Sequence, residues 1–340
     1  MTADTSFLEP SLARDVGEEV MSQRHEILAP LDPSLYTTFR RIATSEDSRL
    51  VITLGGGAIP GVVGNCAMMH IVEELGLREH VDEIWGTSAG AVVGGGCASG
   101  ATALEILEIV KSLDRRGSVD VQWGRLLFAF LFRWCGAELP DALVKGERFH
   151  RAIDSGLRVK TFEECEIPFR CIACTDGAPA QRHVFSSGSL LTAISASMSL
   201  PGVLLARHTD GGCQRGFYDG GLVEKTPLRS PIAEHLRRGD QRRLVLLGTH
   251  FSSEAPHVEG ARGFVSRFTA TIHAMESLVW SYQHAEAAHR EDITLMLFDP
   301  HLTDRSSFDF KRTERSYLEA RSYLKDKLQN AKLALSLALP

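Results

Sequence analysis

One pentapeptide constrains this chain more than any other feature. Gly86-Thr-Ser-Ala-Gly90 follows the short strand-like run Glu83-Ile-Trp85 and precedes a small-residue segment, Ala91 to Ala98. A G-x-S-x-G between strand and helix is a nucleophile elbow, which puts Ser88 on a sharp turn with glycines two residues to either side, leaving room for backbone and substrate. The helix that follows aims its N-terminal amides and dipole at the serine, favouring developing negative charge there. The same rhythm occurs once before. Arg49-Leu-Val-Ile-Thr-Leu54 is an apolar, β-branched run that ends in Gly55-Gly-Gly57, and residues 62–76 then read as a helix. Strand, glycine turn and helix, given twice, predict a parallel α/β sheet. Phe169–Cys174, Leu244–Leu247 and Ile293–Phe298 supply further strands. Helices are expected over 101–112, 140–155, 189–198, 262–290 and 312–337.

Acyl transfer needs donors for the oxyanion of the tetrahedral intermediate. Gly55, Gly56 and Gly57 lie about thirty residues before Ser88, and adjacent parallel strands bring both turns to one sheet edge, the usual ligand crevice. A nucleotide-binding reading is weaker, because GK[ST] is absent and the spacing departs from GxGxxG. The nucleophile also needs a base. Asp219, in Gly216-Phe-Tyr-Asp-Gly-Gly-Leu222, is a candidate, although a carboxylate before two glycines is also an ordinary β-turn residue. His250, after the strand Leu244–Leu247, is the candidate third member of a Ser-Asp-His triad. Cys171 and Cys174 form a CxxC, read as two small apolar residues on a buried strand rather than a redox or metal pair.

The composition excludes several classes. A chain of 340 residues with 44% hydrophobic and 24% charged content is of the soluble globular kind. A net charge of −6 leaves no nucleic-acid footprint. No stretch reaches the roughly 20 apolar residues of a membrane span, and residues 1–18 lack the basic and apolar regions of a cleavable signal peptide. Seven cysteines, an odd number, fit a reducing compartment better than a disulfide framework. The expectation is a cytoplasmic protein with peripheral membrane association. Residues 123–134, with Trp123 and Trp134 at the edges of an apolar core, read equally as a lid or membrane-interface element and as a buried helix.

Taken in order, Gly55-Gly-Gly-Ala58, Gly86-Thr-Ser-Ala-Gly90, Ser195-Ala-Ser-Met-Ser-Leu-Pro-Gly-Val203 and Asp219-Gly-Gly221 resemble the patatin-like phospholipase family. That family carries a glycine-rich oxyanion loop, a GxSxG serine, an A-S-x-S-x-P-G-x-F stretch and a DGG or DGA aspartate. The resemblance covers roughly residues 49–300. It implies a three-layer α/β/α fold with a mainly parallel sheet, and a serine–aspartate dyad without histidine. Ser88 is then the nucleophile, Asp219 the base, and the amides of Gly55, Gly56, Gly57 and Ala89 the oxyanion hole. An aspartate is a weak base at its usual pKa of about 4, so the cleft must raise that value or align the group closely. Neither metal nor cofactor is implied. The implied substrate is a phospholipid or lysophospholipid at a membrane surface, with a homodimer or an activating protein as partner. Residues 1–48 are expected to be an N-terminal extension, 49–305 the catalytic domain and 306–340 a C-terminal helical segment packing on it; 1–48 and 121–136 are candidate gates. One departure stands out. The family loop reads G-G-G-x-[R/K]-G, whereas this chain has Ile59 and Pro60 where a basic residue is expected. That departure keeps open a lipid-binding or partner-regulated scaffold with an idle site.

Overall fold

A computed structural model of the protein describes residues 23–114, 142–144, 146–175, 179–204, 207–208, 216–252, 274, 277–287, 290, 292–302 and 312–336. Segments 1–22 and 123–134 lie outside these residues. The main sheet contains β1 (Ser48–Leu54), β2 (Val81–Thr87), β4 (Phe169–Thr175), β5 (Arg182–Phe185), β7 (Arg207–His208), β8 (Gly216–Asp219), β9 (Arg243–Thr249) and β10 (Ile293–Phe298). Its order is β10-β9-β1-β2-β4-β8-β7, with β5 also on β4. The pairings of β10, β9, β1, β2 and β4 are parallel, and those of β5, β7 and β8 antiparallel. A separate two-stranded piece pairs β3 (Ala142–Val144) with β6 (Gly202–Leu204).

The alternation of β1 builds the three layers. Leu50, Ile52 and Leu54 enter one apolar cluster, with the helices Ala58–Glu74, Ala89–Ala98, Ala103–Asp114 and Thr313–Ser336. Val51 enters another, with Trp85, Leu228, Leu244 and Leu246, against which Ile232 and Trp280 pack. Residues 24–47 belong to the first cluster through Ile27, Leu31, Tyr36, Phe39 and Ala43.

Helix Ala89–Ala98 shows packing overriding propensity. It contains Gly90, Gly94, Gly95 and Gly96, each worth about 1 kcal/mol against an isolated helix. The absent side chains let it sit against the sheet and its neighbours. A Cβ on Gly94 would lie 3.0 Å from Ile84 and Phe169, and one on Gly95 would lie 2.6 Å from Ile194. Two expectations shift. The helix expected over 62–76 spans Ala58–Glu74, because Pro60 falls in its first turn, where a missing N–H costs nothing. The helix expected over 140–155 is instead β3 followed by helix Glu147–Gly156, divided at Gly146, whose φ of 76° caps the helix start.

The N-terminal ends of the strands are closed by charge. Buried Glu83 accepts from Arg49 at 2.8 Å, Arg170 at 2.6 Å, Arg238 at 3.1 Å and the Trp85 indole at 2.9 Å. The glycine turns after β1 and β2 therefore open at the other, C-terminal edge.

Candidate active site

Sheet register brings the two candidate residues together. On β4, Ile172 pairs with Thr87 of β2 and with Val184 of β5, so β2 and β5 occupy opposite edges. Ala173 pairs with His183 of β5 and with Asp219 of β8. Strands β2 and β8 therefore share one edge of β4, end to end. Ser88, just past the end of β2, and Asp219, at the end of β8, meet where one strand gives way to the other. Ser88 Oγ donates to Asp219 Oδ2 at 2.6 Å. Asp219 is 7% exposed, and its Oδ1 accepts from the Gly221 amide at 2.7 Å. One carboxylate oxygen is thus fixed by backbone while the other faces the serine. Among the described residues, no histidine takes part in that contact.

The elbow is strained. Ser88 has φ 53° and ψ −116°, and it is partly open, whereas Ala89 and Gly90 are buried. Its flanking glycines are sterically obligatory. A Cβ on Gly90 would stand 1.9 Å from the Leu54 carbonyl, and one on Gly86 would stand 2.5 Å from the Gly90 carbonyl. Ala58, in the facing loop, also has a positive φ, 50°. Such outliers collect at functional sites, where surrounding structure over-determines them.

The glycine loop does not offer all its amides. Gly55 N–H donates to the Thr249 carbonyl at 3.2 Å and Gly56 N–H to the Lys225 carbonyl at 2.8 Å. The peptide between these glycines is held from its other side too, since buried Asn65 donates to the Gly55 carbonyl at 2.9 Å and its own oxygen accepts from Thr249 Oγ1. Two of the four expected donors are therefore engaged within the protein. Gly57 is partly open and starts helix Ala58–Glu74; Ala89 starts helix Ala89–Ala98. First-turn amides have no intrahelical acceptor. The loop lies close to the elbow: a Cβ on Gly56 would be 3.3 Å from Ser88 Cβ. Ile59 and Pro60 are buried in the helix's first turn and bring no cation to this loop.

His250 is placed elsewhere. Its Nδ1 pairs with Thr226 Oγ1 at 2.9 Å, and its ring stacks on Trp280 at 3.6 Å. Burial pushes its pKa down to about 4. Cys171 and Cys174 are buried on β4, three residues apart and so on opposite faces. Burial pushes the Cys171 thiol up to about 12. Sequence reasoning missed Asn65 and Glu224, and it quoted Ser197 only within the Ser195–Val203 stretch, without a role of its own. Asn65 carried a signal, as a lone amide in the apolar run Val62-Val-Gly-Asn-Cys-Ala-Met-Met69. Fully buried Glu224 accepts from the Leu228 and Ser230 amides at 2.8 and 2.9 Å and from Arg182 at 3.0 Å, fixing the turn that follows Asp219.

A three-layer α/β fold carrying a serine elbow, a facing glycine loop and an aspartate on the adjoining strand end defines the class. The chain belongs to the patatin-like phospholipase family, whose sequence profile matches residues 52–232. It is 29% identical over 195 residues to an uncharacterised NTE family protein of Mycobacterium tuberculosis, covering 57% of this chain and 48% of that one. It is 27% identical over 202 residues to the lysophospholipase nte1 of Neurospora crassa, covering 59% of this chain and 12% of that one. The chain thus spans about half the length of the mycobacterial relative, and less of the fungal one. Among solved structures it is similar to VipD from Legionella pneumophila, with a TM-score of 0.39 at 12% identity, over 84% of this chain and 67% of that one. It is also similar to the type III effector ExoU, with a TM-score of 0.36 at 15% identity, over 84% and 53%.

Proposed function

We propose that the chain is a lipid acyl hydrolase of phospholipase A or lysophospholipase type, working through Ser88 and Asp219. The observation that carries this reading is the 2.6 Å hydrogen bond from Ser88 Oγ to Asp219 Oδ2, made from a strained elbow. Asp219 takes the serine proton as Ser88 Oγ attacks the ester carbonyl carbon. Negative charge gathers on the carbonyl oxygen, where the Gly57 and Ala89 amides are the two of the four expected donors that are not engaged among the described residues. Gly55 and Gly56, also expected as donors, act instead as the clamped base of the loop. Collapse of the intermediate breaks the C–O bond, and the leaving alkoxide takes the proton from Asp219. Water then attacks the acyl-serine, giving its proton to Asp219, and the fatty acid leaves as Ser88 is restored. The fungal relative named a lysophospholipase supports the substrate class. A membrane surface as the place of action, a homodimer or activating protein as partner, and cytoplasmic residence are parts of the same proposal. Among the described residues no helix is long and apolar enough to cross a membrane.

The test is hydrolysis of phospholipid and lysophospholipid in mixed vesicles by the wild type, Ser88→Ala and Asp219→Asn. Fatty-acid release is expected from the wild type and a loss of at least ~10³-fold in each variant. Release persisting in either variant excludes the dyad. A wild type without activity, in the presence of candidate activators as well, favours the idle scaffold.

A further inference from the structure

We infer that Ser197 is the positioning residue of the nucleophile: its hydroxyl, bonded to the Ser88 amide, holds the elbow in the backbone state from which Ser88 Oγ reaches Asp219. The inference rests on reading Ser88 and Asp219 as an acyl-transfer dyad.

Ser88 occupies a backbone region that a residue with a Cβ rarely enters, so something outside the elbow must hold it there. Its carbonyl accepts from the Ala91 and Val92 amides, as at any helix start. Its N–H is the group that turns with the strained peptide, and it donates to Ser197 Oγ at 2.8 Å. Ser197 is fully buried at the end of helix Leu190–Ser197. Its Oγ in turn donates to the Ile172 carbonyl at 2.5 Å. A hydroxyl has a single proton. With that proton on Ile172, the lone pairs face Ser88, so the acceptor is oriented by a carbonyl that β4 already fixes.

The same short segment grips the other half of the dyad. The Asp219 amide donates to the Ser199 carbonyl at 3.0 Å, and the Gly220 amide to the Ser197 carbonyl at 3.1 Å. Ser199 Oγ donates to the Ser195 carbonyl at 2.8 Å, tying the segment to its own helix. Residues 197–199 therefore bond to both the nucleophile's peptide and the base's peptide from one packed element. The separation of Ser88 and Asp219 is set by this third piece, besides the hydrogen bond between them. A hydroxyl that merely satisfied a buried amide would affect stability alone. A positioning hydroxyl affects the reactivity of each folded molecule.

The experiment compares full-length wild type, Ser197→Ala and Ser197→Cys. Three quantities are read: the second-order rate of fluorophosphonate labelling at Ser88, corrected for the folded fraction from thermal melts, and kcat and KM for p-nitrophenyl butyrate. Ser197→Ala is expected to label about 10- to 100-fold more slowly per folded molecule, with kcat falling by the same factor and KM within about threefold. Ser197→Cys is nearly isosteric but a weak acceptor, and it is expected to lose at least about fivefold, so the hydrogen bond is read even where the alanine variant fails to fold. Wild-type labelling with unchanged rates in the folded variants, or a loss confined to KM, overturns the positioning role and leaves the dyad standing. A wild type that neither labels nor hydrolyses overturns the dyad reading itself.

Discussion

At the residue scale, chemistry was legible where it is written in consecutive residues and hidden where it depends on distant partners. Ser88 announces itself because an elbow needs two glycines at fixed offsets, and the 1.9 Å approach of a Gly90 Cβ to Leu54 supplies the reason. Nothing near Gly55 or Gly56 in sequence reveals that their amides meet the carbonyls of Thr249 and Lys225. Asp219 is ambiguous in isolation, since an aspartate before two glycines is an ordinary turn residue, and only β8 set end to end with β2 brings it to Ser88. His250 shows how residue type can mislead. It follows a strand end at the correct sheet edge, yet it stacks on Trp280 and bonds Thr226. His250→Gln is expected to keep esterase kcat within about threefold, where a triad histidine would cost orders of magnitude. The imidazole also sets a pH dependence. Its folded pKa of about 4 lies below the ordinary 6.5, so between these values the unfolded chain binds the proton and the folded chain does not. The contribution of His250 to stability is therefore complete above about pH 6.5 and falls as pH drops toward about 4. Urea melts across pH 4 to 7 should show this slope in the wild type and a shallower one in His250→Gln. Equal slopes would place the acid sensitivity on other groups.

At the element scale, two strand–turn–helix units position the chemistry, and both were readable from apolar runs broken by glycine. The antiparallel edge was not. Strands β5, β7 and β8 are at most four residues long and carry polar or aromatic residues in place of a β-branched run, so β5 and β8 are set by β4, and β7 by β8, and not by their own pattern. The glycine-rich helix after Ser88 is held by packing against propensity, which makes it sensitive to any added atom. Gly90→Ala should cost ~3 kcal/mol or more in urea-induced unfolding, because backbone and not a flexible side chain lies in the way. A change below about 1 kcal/mol would mean that helix and β1 are not in the contact described. Register explains the place of Asp219 as well, since it sits opposite Ala173, one residue beyond the Ile172–Thr87 pair.

At the scale of the whole molecule, helix Thr313–Ser336 fastens residues 24–47 on one side and the helix that begins at the glycine loop on the other. Arg321, on helix Thr313–Ser336, has a fully buried side chain. It donates to the Ile27 carbonyl at 2.8 Å and the Ala29 carbonyl at 3.2 Å, and it pairs with Glu74 at 2.7 Å. Tyr317 of the same helix meets His70, whose pKa burial lowers. Residues 24–47, part of the segment that sequence alone gives as an extension packing on the core or gating it, share the core with the sheet. Their signal is short and scattered, Ile27, Tyr36 and Phe39 among charges, and becomes apolar packing only once the C-terminal helix covers it. Arg321→Met leaves two carbonyls and a carboxylate without their partner, so a loss of about 3 kcal/mol is expected. Amide exchange in peptides from 24–43 should quicken first, and unchanged protection there would show that the clamp does not secure that segment. All of this framework serves one contact, Ser88 on Asp219. Its most direct test is the mass of the intact protein after exposure to a fluorophosphonate, followed by peptide mapping. A single adduct on Ser88, absent in Ser88→Ala and formed at least ~10²-fold more slowly in Asp219→Asn, is the result predicted. An adduct elsewhere, or undiminished labelling of Ser88 in Asp219→Asn, would contradict it.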